Sequence, residues 1–160
     1  MAASVSLQHS STSATRLVLG FVGGFIATLV FHQIGLLVLH FAGMTQAMPY
    51  NTHPVPPFGV PQFISLAFWG GIWGILFVLA EPIFVRNPIV YWIGAIIFGA
   101  IFPTLVAWFV VFPLKGLPAG LGFHFPGILV GPIVNGLWGL GTVVFLQLTA
   151  QPVARLQSRS

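Results

Sequence analysis

Cysteine is absent from the chain. Disulfides, thiolate nucleophiles, iron–sulfur clusters and cysteine-based zinc sites are therefore excluded. Charge is nearly absent too. Only 4% of the 160 residues are Asp, Glu, Lys or Arg, against roughly 25% in soluble domains. So few charges cannot cover a water-facing surface, and the solvent this sequence suits is the bilayer. There is no Asp, and the single acid is Glu81. Inside the apolar runs no carboxylate stands where a cation-coupled transporter would need one. No Ser-His-Asp set, phosphate loop or carboxylate pair appears, so the residues give no sign of an enzyme. The five Lys and Arg form no patch that would hold nucleic acid.

What is present is long apolar runs, at 17–41, 63–80, 89–112 and 128–148. A spanning helix needs about 20 such residues, and lipid leaves the backbone no partner but itself. The expected fold is an all-α membrane protein, a four-transmembrane-helix bundle over residues 16–150. Residues 1–15 read as a polar, disordered cytoplasmic tail and 151–160 as a short basic one. The first residues lack the early positive charge of a secretory signal, so span one reads as uncleaved. With four spans, Arg16, Arg86, Arg155 and Arg159 share one side and Lys115 stands alone on the other. The positive-inside rule then places both termini in the cytoplasm. Glu81, beside Arg86 in sequence, is expected to be a local ion pair or a surface charge.

The two outer loops are AGMTQAMPYNTHPVPPFGVPQ and PLKGLPAGLGFHFPG. The first has prolines at 49, 54, 56, 57 and 61, which make it extended and stiff. Each loop carries a histidine just before a proline. GGFIATLV in span one aligns with GAIFPTLV in span three, and Trp69-Gly70 with Trp138-Gly139. The pattern suggests two helical hairpins inserted in the same direction, a parallel repeat.

At 100° per residue, Gly24, Thr28, His32, Gly35 and His40 fall on one arc of span one, with Gln33 at its edge. Ala27, Val30, Phe31, Ile34, Val38 and Phe41 fall opposite, on a face that suits lipid. Small and polar stripes also mark span two (Gly70, Gly74), span three (Ala100, Thr104) and span four (Gly131, Asn135, Gly139). These read as helix-packing faces, since small residues let backbones approach. Depth along the helices puts His32, Gln33, Thr104 and Asn135 in one outer-half polar belt, for solute binding or for interhelical bonding. His40, His53 and His124 fall above it. They are a candidate metal or pH-sensing cluster if the loops fold back, although no close ligand spacing joins them.

Three functional readings follow. The first is an accessory or interaction subunit that packs through glycine-rich helix faces, as a homo-oligomer or within a larger membrane complex. The second is a small permeation or solute-binding module that uses the polar belt. The third is a histidine-based metal or haem site. No cofactor is specified by the residues.

The segments FHQIGLLVLH, PVPPFGVPQFISLAFWGGIWGI and VVFPLKGLPAG resemble a family of small, uncharacterised proteobacterial inner-membrane proteins. The FPLxGL stretch is also similar, more distantly, to the YagU-type inner-membrane proteins. The resemblance covers most of the chain after the tail. It implies four spans in the bacterial inner membrane and brings no activity or site residues with it.

Overall fold

The computed structural model describes residues 2–83 and 87–157, with side chains described over 14–83 and 87–149. Four helices among them are long and apolar enough to cross a membrane: α1 Ala14–Phe41, α2 Gln62–Ile83, α3 Pro88–Leu114 and α4 Gly127–Thr149. The helix of α1 reaches back to Ala2, and that of α4 runs on to Gln157. The only strands among the described residues are β1 Pro54–Val55 and β2 Val60–Pro61, an antiparallel pair between α1 and α2. The fold is thus an all-α four-helix bundle. Its helices alternate in direction, so the start of α1 and the end of α4 lie at one end, called here the terminal end. The opposite end is the loop end.

Local chemistry explains where the helices stop. The α1 helix ends in a Schellman turn on Gly43, at φ +72°. There Met44 N–H bonds Leu39 O at 2.9 Å and Gly43 N–H bonds His40 O at 3.0 Å. Gly116 ends α3 in the same way, at φ +72°, with Leu117 N–H on Phe112 O at 2.9 Å. Asn87 caps α3, its side chain accepting from Ile89 N–H at 2.8 Å, and Pro88 follows at the first helical position. The first amides of α2, at Gln62 and Phe63, donate to the loop carbonyls of His53 and Asn51 at 3.0 and 3.1 Å. The stiff loop thereby caps the helix it precedes.

Glycines set the packing. In the first hairpin a methyl group at Gly24 would fall on the Gly70 carbonyl, and one at Gly74 on the Gly20 carbonyl. In the second, a methyl group at Gly99 would fall on the Asn135 carbonyl, and one at Gly139 on the Ala95 carbonyl. Each hairpin is therefore a backbone-to-backbone contact that only glycine permits. The two halves also echo one another beyond their glycines. Both α1 and α3 carry a five-residue π-helical turn in their loop-end half, Thr28–His32 and Ala107–Val111. Each is followed by a loop with an aromatic residue in the left-handed region, Tyr50 at φ +51° and Phe123 at φ +56°. The register differs from the sequence alignment by one turn on the even helices. It is Gly74, not Gly70, that matches Gly139 in its packing role.

The α1 helix is the hub, and this corrects the expected lipid face. Ala27 is buried rather than lipid-facing, and Phe31 is half-buried. Both lie against Gly141 of α4. A helix packed on two neighbours has two buried faces, with Gly20 and Gly24 toward α2 and Gly23, Ala27 and Gly35 toward α4. Only Val30, Ile34, Val38 and Phe41 of the expected lipid side are exposed. Trp138 of α4 joins the hub through its indole N–H, which donates to Gly24 O at 2.9 Å in the buried centre. The core around it includes Ala27, Phe77, Tyr91, Ala95, Phe98 and Leu146.

Candidate functional site

Two polar clusters stand out, one at each end of the bundle. At the terminal end, Glu81 is only 8% exposed. Arg16 reaches it from α1 with two bonds, Nε to Oε2 at 3.1 Å and Nη2 to Oε1. Tyr91 of α3 donates its hydroxyl to Oε1 at 2.5 Å. The chain's one acid thus ties α1, α2 and α3 together. The partner expected from the sequence, Arg86, lies outside the described residues. Glu81 is a buried ion-pair centre rather than a surface charge, because α1 brings Arg16 to it across 65 positions. Sequence reasoning missed Arg16 and Tyr91 here. The available signal was that a lone acid at a helix end, if buried, must find a cation at the same end.

At the loop end, the four belt residues divide. Asn135 donates its side-chain amide to Thr104 Oγ1 at 2.9 Å, an interhelical bond between α4 and α3 of the expected kind. Gln33 turns elsewhere. Its Oε1 accepts the backbone N–H of Tyr50 at 2.9 Å, while the tyrosine hydroxyl donates to Leu29 O at 2.7 Å. The helical ladder is irregular beside that carbonyl. In an α-helix Leu29 O would take the Gln33 N–H; here that N–H bonds Val30 O, and the ladder is shifted. Thr28, on the same arc, returns its hydroxyl to Gly24 O at 2.9 Å.

Gln33 is 2% exposed, and its Nε2 has no hydrogen-bond partner. The buried Nδ1 atoms of His32 and His40 have none either. These three nitrogens all lie in the loop-end half of α1. The outer histidines do not converge: among the described residues no three His, Cys, Asp or Glu side chains stand close enough to hold a metal ion. His53 is held in the β1 approach by its N–H on Asn51 Oδ1 at 2.9 Å. His124 is exposed in the other loop, and His40 sets its ring edge-on to Phe41. The loops fold back through Tyr50 and Phe123, not through their histidines. Phe123 packs on Trp108 and Phe109 of the second π-helical turn, with ring centroids at 5.6 and 5.9 Å.

The sequence-predicted packing glycines all lie between helices of the chain itself. A methyl group at Gly131 would meet Thr104 Cγ2 at 3.0 Å, and Gly24, Gly70, Gly74 and Gly139 each meet backbone atoms of the facing helix. No protein-family model, curated protein or solved structure matches the chain.

Proposed function

We propose that this chain is a multi-pass protein of the bacterial inner membrane, both termini cytoplasmic, that binds or passes a small polar solute at the outer half of α1. The observation that carries the reading is Gln33 Nε2, a buried donor with no partner. Leaving such a group unpaired costs about 1–3 kcal/mol, and leucine would fill the position without that cost. Thr104 and Asn135 complete each other as interhelical glue; Gln33 and His32 keep unused capacity. Uptake of urea and glycerol into proteoliposomes tests it. Protein-dependent uptake should fall about fivefold or more in Gln33→Leu, as for loss of roughly one hydrogen bond to the solute, while the variant keeps its helical spectrum. Uptake indifferent to Gln33→Leu and His32→Leu would sink the reading.

A second reading, an accessory subunit that associates with itself or with a larger complex, draws on a different observation. An apolar groove of about 210 Å³ runs between α3 and α4, lined by Ile96, Ala100, Pro132, Gly136, Leu137 and Leu140 among others. The nearest atoms to a methyl group at Gly136 would be 3.6 Å away, so this glycine is not needed inside the bundle. Cross-linked oligomers in the same proteoliposomes, without solute uptake, would favour it.

The membrane reading rests on the four spans, the Lys and Arg asymmetry, and the resemblance to small proteobacterial inner-membrane proteins. Topology reporters fused after Thr52 and Ala119 should read periplasmic, and those after Arg86 and Arg159 cytoplasmic. A cytoplasmic signal at Thr52 would overturn the orientation.

A further inference from the structure

We propose that Tyr50 is a movable plug seated where the solute binds, and that the solute is an uncharged molecule no larger than the phenol it displaces. The proposal rests on the solute-binding reading above. Tyr50 is held in the left-handed region at φ +51°, an unfavourable conformation for a residue with a side chain. Two hydrogen bonds keep it there, its N–H on Gln33 Oε1 and its hydroxyl on Leu29 O. Leu29 and Gln33 are four residues apart, so both acceptors lie on one face of α1. The ring leans edge-on to Phe63 at the start of α2, with centroids 6.0 Å apart. It is 50% exposed, so half of its surface already lies free of the bundle.

What it would leave behind is a small, mixed hydrogen-bonding surface. Leu29 O and Gln33 Oε1 would accept and Gln33 Nε2 would donate; His32, the neighbour of Gln33 in sequence, also has its Nδ1 unpartnered. The plug already makes two of these bonds in the way a solute would, as a donor to both oxygens. A solute that also accepts from Gln33 Nε2 satisfies one group more than Tyr50 does, which favours exchange. Between Arg16 and Glu81 the chain has no Asp, Glu, Lys or Arg. Neither α1, the loop after it nor α2 as far as Glu81 therefore offers an entering ion a full counter-charge, and unpaired burial of charge is prohibitive. Primary amides, urea and small polyols have the required mixture of donors and acceptors without charge.

The full-length protein in liposomes tests this, with urea and glycerol as uncharged probes and Na⁺ and Cl⁻ as charged ones. Tyr50→Phe removes only the hydroxyl bond and should speed uptake of the uncharged probes about fivefold, as for loss of one ordinary hydrogen bond. Tyr50→Ala should speed it further, and adding Gln33→Leu should cancel the gain. Na⁺ and Cl⁻ should stay at the rate of protein-free liposomes throughout. Wild-type uptake that Gln33→Leu abolishes, but that neither Tyr50 variant changes, would overturn the plug and leave the solute site standing. A rise in Na⁺ or Cl⁻ flux in Tyr50→Ala would overturn the uncharged class. Absence of uptake in wild type and in the well-folded Tyr50→Phe protein would overturn plug and solute site together.

Discussion

Replacing Glu81 with glutamine should destabilise the bundle by about 3 kcal/mol, the lower end of the range for breaking a buried ion pair. The lower end applies because the Arg16 side chain keeps 34% of its surface exposed and can turn toward water or a headgroup. The loss comes from the guanidinium that stays behind, not from the missing attraction alone. The double variant Arg16→Leu/Glu81→Leu should therefore recover most of the stability, since removing both partners leaves no uncompensated charge. Tyr91→Phe removes one hydrogen bond to the carboxylate and should cost about 1.5–3 kcal/mol. Unfolding by SDS in mixed micelles measures all three. Equal stability of Glu81→Gln and wild type would show that the Arg16–Glu81–Tyr91 link contributes nothing to holding α1, α2 and α3 together.

Gly70→Val should be at least as damaging, by about 3 kcal/mol or more, at the upper end of overpacking costs. The new Cβ would fall on Thr28 Oγ1 and lie 2.9 Å from Gly24 O. Neither can yield without parting α1 from α2, because the Thr28 hydroxyl is bound to Gly24 O at 2.9 Å and the other atom is backbone. Gly136→Ala is the matched control. Its methyl group would find ordinary contacts at 3.6 Å, and the change should stay within about 0.5 kcal/mol. If both substitutions were equally mild in the same SDS titration, the glycine-mediated approach of α1 and α2 would be wrong.

Span positions were legible because burial in lipid is a property of composition and length. The runs read at 17–41, 63–80, 89–112 and 128–148 lie inside the helices at Ala14–Phe41, Gln62–Ile83, Pro88–Leu114 and Gly127–Thr149. The Thr104 and Asn135 bond was legible too, from depth and face alone. Other features depend on which helices touch, and periodicity on one helix does not carry that information. Ala27 belongs to the lipid side of an isolated amphipathic helix, yet the hub position of α1 buries it. The π-helical turn at Thr28–His32 has no sequence signature of its own, and it shifts the phase that placed Gln33 at the edge of the polar arc. Tyr50 lies in a loop 17 positions from Gln33, and its docking needs a backbone angle that composition does not announce. Glu81 finds its partner 65 positions away, where local spacing points instead to Arg86.

Solute binding at Gln33 is tested most directly by a crystal structure of the protein in lipid at a resolution that shows ordered waters. With urea or glycerol present, non-protein density is expected within about 3 Å of Gln33 Nε2, ordinary hydrogen-bond distance, reaching toward the Leu29 carbonyl with Tyr50 displaced. A Gln33 amide bonded at both ends to protein groups, with Tyr50 in place and no density beside it, would contradict solute binding there.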